Sequence, residues 1–119
     1  MPVLNILYVE DNAMLRVTIA EYLSDLGHLP VAVGSAEDAL TELHRHRFDV
    51  LLSDVSLPGR SGIELVRDAA RLQPELVLVL SSGHDLSADA ELLGVPVELL
   101  PKPFDIDALE DVLDRAAVR

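Results

Sequence analysis

Residues 3–11 read Val-Leu-Asn-Ile-Leu-Tyr-Val-Glu-Asp, an apolar run from Val3 to Val9 that stops on two adjacent carboxylates, Glu10 and Asp11. A run this short, rich in Val, Ile and Leu, fits a strand of a parallel sheet covered on both faces. Three more runs of the same kind follow: Val50 to Ser53, Leu76 to Leu80 and Val95 to Leu100. Each ends just before residues that carry chemistry, namely Asp54, the pair Ser82-Gly83 and the pair Lys102-Pro103. Ligands bind beyond the carboxyl ends of strands in open α/β sheets. The four clusters therefore describe one site.

Helix-like patterns separate the runs, which argues for βαβ units and a parallel sheet with helices on both faces. After Asn12, Leu15, Ile19, Leu23 and Leu26 recur at helical spacing and Gly27 offers a stop, so the spacing predicts a first helix over 13–26. Pro30 to Gly34 reads as a short second strand. Ser35 and Asp38 have capping-box spacing ahead of Ala39, Leu40 and Leu43, in a helix that should end near His46. Ser61 and Glu64 repeat the box with the usual Glu, and Pro74 bars continuation of the third helix. The residues between Gly83 and Gly94 have room only for a short fourth helix, on Leu86, Ala90 and Leu93. Asp105 can cap a fifth that carries Ile106, Leu109, Val112, Leu113 and Ala116. The expectation is a doubly wound α/β domain over 1–119, with five strands and five helices in three layers and no separate output domain.

Lysine and arginine number 9 against 21 aspartates and glutamates, a formal net charge of −12. That balance repels phosphate backbones and argues against direct nucleic-acid binding. There is no cysteine, so neither disulfides nor thiolate chemistry are available. The longest apolar run, Leu76 to Leu80, is five residues, far below the roughly 20 needed to span a bilayer. Met1 opens no signal-peptide pattern. A cytoplasmic chain without membrane insertion is the default expectation.

A sheet ordered 2-1-3-4-5 has its switch point between the first and third strands, which would bring Glu10, Asp11 and Asp54 into one crevice. Three carboxylates there repel unless a hard divalent cation neutralises them, and Mg²⁺ characteristically takes one or two carboxylates with phosphate oxygens and waters. Three negative charges against Lys102 and a divalent cation sum to zero, so an incoming phosphoryl group meets compensated charge. Asp54 stands alone after its strand and opens the loop Val55 to Ser61, which makes it the nucleophile candidate. Attack by its carboxylate on phosphorus gives an acyl phosphate. Lys102 can hold a phosphoryl oxygen as a point charge, and the Ser82 hydroxyl can donate a hydrogen bond to another.

Each fragment alone has a plainer reading: acidic residues suit a helix N-terminus, Asp54 a turn, and Lys102 the surface. It is the combination that argues for chemistry. Ser61 and Gly62 read as a helix start and His28 as a turn residue, while His44 and His46 flank Arg45 at a helix C-terminus, where positive charge suits the dipole.

In order, these motifs resemble the receiver domain of the two-component response-regulator family over the whole chain. The matching pattern is Glu10-Asp11, then Asp54 followed by Pro58 and Gly62, then Ser82-Gly83, then Lys102-Pro103. The resemblance implies a flavodoxin-like fold with sheet order 2-1-3-4-5 and Mg²⁺ held by Glu10, Asp11, Asp54 and the backbone carbonyl of Ser56. It implies that Asp54 receives phosphate from a sensor histidine kinase or a histidine phosphotransfer protein, and that Ser82 and Lys102 sense it. A protein partner then binds in a phosphorylation-dependent way, so the chain is a signalling switch rather than an enzyme with an external substrate. It further places His84 where a side chain can overlook the phosphoryl group, and Pro103 after a cis bond that aims the lysine. Leu99 stands where many members carry an aromatic ring that turns inward on activation.

Three rivals remain. A phosphatase of the haloacid-dehalogenase type would need a second Asp two residues after the nucleophile, where Ser56 stands. A mononucleotide binder would need a phosphate-cradling loop after Val9, and none follows. A non-phosphorylated interaction module is disfavoured by the intact acidic pair and Lys102.

Overall fold

The computed structural model describes residues 3–83, 94–102 and 105–118. Its strands are β1 (Asn5–Val9), β2 (Leu29–Val33), β3 (Val50–Asp54), β4 (Val77–Ser82) and β5 (Glu98–Pro101), with helices α1 (Ala13–Asp25), α2 (Ala36–Arg45), α3 (Gly62–Leu72) and α4 (Ile106–Ala117). All pairings are parallel, in the order β2-β1-β3-β4-β5. The central strands β3 and β4 are buried at every position, from the Val and Leu residues that open each to Ser53, Asp54, Ser81 and Ser82 at their ends.

Strand alternation sorts the core into two halves. Leu7, Val9, Leu51, Leu78 and Leu80 face α2 and α3, where Ala39, Leu43, Leu65, Val66 and Ala69 meet them. Ile6, Tyr8, Leu52, Val77, Val79 and Leu100 face the other way, against Leu23 of α1 and Leu109, Val112, Leu113 and Ala116 of α4. Each helix starts on a side-chain cap: Asn12, Ser35, Ser61 and Asp105 accept the amide hydrogens of Leu15, Asp38, Glu64 and Ala108 at 3.0, 3.1, 3.2 and 2.8 Å. Such caps contribute about 1 kcal/mol each. They fix where each helix leaves the strand end that precedes it.

Several expectations need correction. β5 begins at Glu98 rather than Val95, because Pro96 has no N–H for a ladder; Val95 and Val97 instead pack, partly buried, against the core on the α2 and α3 side. β3 and β4 run further than their apolar stretches, since Asp54 pairs in register with Ser81. His28 is no ordinary turn residue: it is buried, and its Nδ1 accepts the Leu4 amide hydrogen at 3.1 Å. Four helices are described rather than five, and the stretch expected to form the remaining one, 84–93, lies outside the described residues. So do His84 and Pro103.

Candidate functional site

Strand order reverses between β1 and β3, and Glu10 and Asp54 end up side by side there. Glu10 leaves the end of β1 with its amide hydrogen bonded to the Val33 carbonyl at 3.0 Å. The residue is only 2% exposed, and its Oε2 accepts the Asn12 amide hydrogen at 3.2 Å. Asp54, 8% exposed, accepts the Ser56 amide hydrogen on Oδ1 at 3.2 Å. Both carboxylates are thus oriented by the backbone just downstream. Asp11 is exposed at the rim. One carboxylate oxygen from each of the three lies within 4.8 Å of the others.

Lys102 closes the cluster. Its amide hydrogen bonds to the Ser82 carbonyl at 2.7 Å, and its Nζ donates to Glu10 Oε1 at 3.2 Å and to Asp54 Oδ2 at 3.0 Å. It is the only lysine in the chain. Burial pushes the Glu10 carboxyl above its ordinary range, with the Asp54 charge adding to this against the opposing Asn12 amide and Lys102. Burial alone would lower the Lys102 ammonium, but its hydrogen bonds to Asp54 and Glu10 and their charges outweigh it and hold it above the ordinary lysine value. The Tyr8 phenol beneath is raised by burial first and then by Glu10 and Asp54, against Arg16. The crevice is a field of negative charge only partly answered.

The donor set tests whether a metal fits. Three carboxylates and one ammonium leave two negative charges, and all the donors are hard oxygens, the set a divalent cation such as Mg²⁺ takes. Glu10, Asp11 and Asp54 could hold one.

Against known proteins, the family model of the response regulator receiver domain matches residues 6–114. The chain belongs to the response regulator receiver domain family. The response regulator protein FleR of Pseudomonas aeruginosa is 36% identical over 116 residues, which is 95% of this receiver but 24% of FleR. The receiver thus spans about a quarter of that relative's length. The chemotaxis response regulator CheY4 of Vibrio cholerae superposes with a TM-score of 0.84 at 26% identity, over 97% of this receiver and 99% of that chain. The receiver domain of the hybrid histidine kinase CckA does so at 0.80 and 28%, over 94% and 97%. This receiver is accordingly a phosphorylatable module of two-component signalling, a switch rather than an enzyme of metabolism.

Of the residues named from sequence, Glu10, Asp11, Asp54 and Lys102 converge directly, while Ser56 contributes its amide to Asp54. Ser82 is buried at the end of β4, and its carbonyl anchors Lys102. Leu99 sits on β5 opposite Leu80, packed against the α2 and α3 side of the core rather than on the crevice. Arg16 and Gly34 were not legible in the sequence, and Gly62 was named there only as a matching position and a helix start. Arg16 on α1 donates from Nη1 to the Glu10 carbonyl at 2.8 Å, and a Cβ on Gly34 would stand 2.8 Å from that same nitrogen. Gly62 is more than a helix start: a Cβ there would run into the Asp54 carbonyl oxygen and lie 2.8 Å from Val55 Cα. Only a glycine lets α3 begin against the backbone of Asp54, whose loop it closes through the Gly62 amide to the Val55 carbonyl at 2.9 Å.

Proposed function

We propose that this receiver takes a phosphoryl group onto Asp54 from the phosphohistidine of a sensor histidine kinase or histidine phosphotransfer protein, and that the acyl phosphate changes its affinity for a protein partner. The observation that carries this is the Lys102 ammonium held between Asp54 Oδ2 and Glu10 Oε1 at a strand-end crevice. The Asp54 carboxylate forms the new O–P bond as the N–P bond of the donor breaks. Mg²⁺ held by Glu10, Asp11, Asp54 and the Ser56 carbonyl would supply neutralisation of the charge on the transferring group. Lys102 and the Ser82 hydroxyl hold phosphoryl oxygens, and both carboxylate oxygens of Asp54 are already aimed by Ser56 and Lys102. The phosphotransfer and the later hydrolysis are the receiver's own chemistry, with no external metabolite turned over.

The rival phosphatase reading has no acid at its required place, since Ser56 stands there and its amide serves Asp54. We read the chain as a single receiver, with α2 and α3 packed on one face of the sheet and α1 and α4 on the other. A cytoplasmic setting accords with the kinase partner; among the described residues no helix is long and apolar enough to cross a membrane. Phosphotransfer from a panel of purified histidine kinases tests the reading. Transfer to wild type but not to Asp54→Asn is the expected result.

A further inference from the structure

Ser81 is 3% exposed, and its hydroxyl is the one buried side-chain polar atom among the described residues that lacks a hydrogen-bond partner. A buried group left this way costs stability and calls for a reason. Its position supplies one. On β4, Ser81 continues the row of Val77 and Val79; on β3, Asp54 continues Val50 and Leu52; on β1, Glu10 follows Ile6 and Tyr8. All three rows lie on the sheet face turned to α1 and α4, and Asp54 and Ser81 are direct partners in register.

Lys102 starts from the far side of Ser81. It follows β5, is anchored by its backbone to the end of β4, and still reaches Asp54 on β3 and Glu10 beyond β1. The backbones of β5 and β3 are separated by two strand spacings, roughly 9–10 Å. The lysine stem must therefore cross the end of β4 on the face where Ser81 lies.

Resting on the reading of Asp54 as phosphoacceptor, we propose that Ser81 is a positioning residue for Lys102: its hydroxyl accepts a hydrogen bond from the ammonium once phosphorylation removes the carboxylate oxygen that Lys102 holds at present. Forming the O–P bond turns one carboxylate oxygen into an ester oxygen, a poorer acceptor. The ammonium has three donors to place, and the new phosphoryl oxygen takes one of them. Ser81 gives a second a fixed acceptor, so that the lysine stays aimed at the phosphoryl group. The unpartnered hydroxyl is thus a cost carried in the resting state and recovered in the phosphorylated one.

The test uses the fact that Lys102 is the only lysine. In ¹⁵N-labelled protein it gives a single side-chain ammonium signal, to be recorded for wild type and Ser81→Ala, free and with Mg²⁺ and beryllofluoride, a phosphoryl mimic. The free spectra should coincide, and Ser81→Ala should melt no lower than wild type. In the beryllofluoride state the wild-type ammonium should shift and exchange its protons more slowly, and the variant should lose that protection. Acyl phosphate formation from acetyl phosphate should be about tenfold slower in Ser81→Ala, the loss of one hydrogen bond to a charged donor. Coinciding ammonium signals in both states with equal phosphorylation rates would overturn the role of Ser81. Wild type that takes neither beryllofluoride nor phosphate would instead overturn the phosphoacceptor reading beneath it.

Discussion

Replacing Gly62 with alanine sets two effects of known sign against each other. Within a helix, alanine is favoured over glycine by up to about 1 kcal/mol. Here, however, the added Cβ meets backbone, not a flexible side-chain tip: the Asp54 carbonyl oxygen, Val55 Cα at 2.8 Å and the Asp54 carbonyl carbon at 3.0 Å. Such atoms move only if α3 and the loop after β3 move together. Overpacking of a buried site costs about 1–3 kcal/mol, and an overlap with main chain belongs at or above the upper end. The net expectation is a loss of about 2 kcal/mol, or roughly 8 °C in melting temperature for a domain of this size. The strain falls on the nucleophile's own backbone, so phosphorylation by acetyl phosphate should also slow, by about tenfold for a small misplacement. Thermal unfolding by circular dichroism and single-turnover phosphorylation measure the two. A variant as stable as wild type and phosphorylated as fast would refute the close-approach reasoning.

In the metal-free protein Glu10, Asp11 and Asp54 crowd one another, so millimolar Mg²⁺ should raise the melting temperature by linkage, and Asp54→Asn should stabilise the chelated protein while weakening the Mg²⁺ response; a melting curve indifferent to Mg²⁺ would count against the site. The Glu10 carboxyl is raised, chiefly by burial, so between the ordinary glutamate range and its folded value the native state binds more protons than the unfolded chain. Metal-free stability should therefore fall as pH rises through that window, and urea titrations in chelator should show the slope flattened in Glu10→Gln. Arg16→Leu, which removes the donor to the Glu10 carbonyl at 2.8 Å, should lower Mg²⁺ affinity several-fold in calorimetry, with the helical circular dichroism retained.

The sheet order and the convergence of Glu10, Asp54 and Lys102 were legible because strand ends, turn residues and chemistry coincide in sequence: the runs before Glu10, Asp54, Ser82 and Lys102 have few alternative registers once both faces are buried. Caps at Ser35, Ser61 and Asp105 were legible for the same local reason. What escaped was decided by tertiary contact. The start of β5 depends on where Pro96 lets pairing begin, and the burial of His28 depends on the Leu4 amide 24 positions away. Gly62 was named only as a matching position, and the reason for it, a Cβ that would meet the Asp54 backbone, leaves no pattern in the glycine's own neighbourhood. Ser81 looks in sequence like a spacer before Ser82, and only the register with Asp54 places it under the path of Lys102.

The central claim is that Asp54 is the phosphoacceptor, and intact-mass spectrometry after incubation with acetyl phosphate tests it most directly. With Mg²⁺, wild type should gain a single phosphoryl group, chelator should prevent the gain, and Asp54→Asn should gain none. A phosphoryl group retained on Asp54→Asn would contradict it.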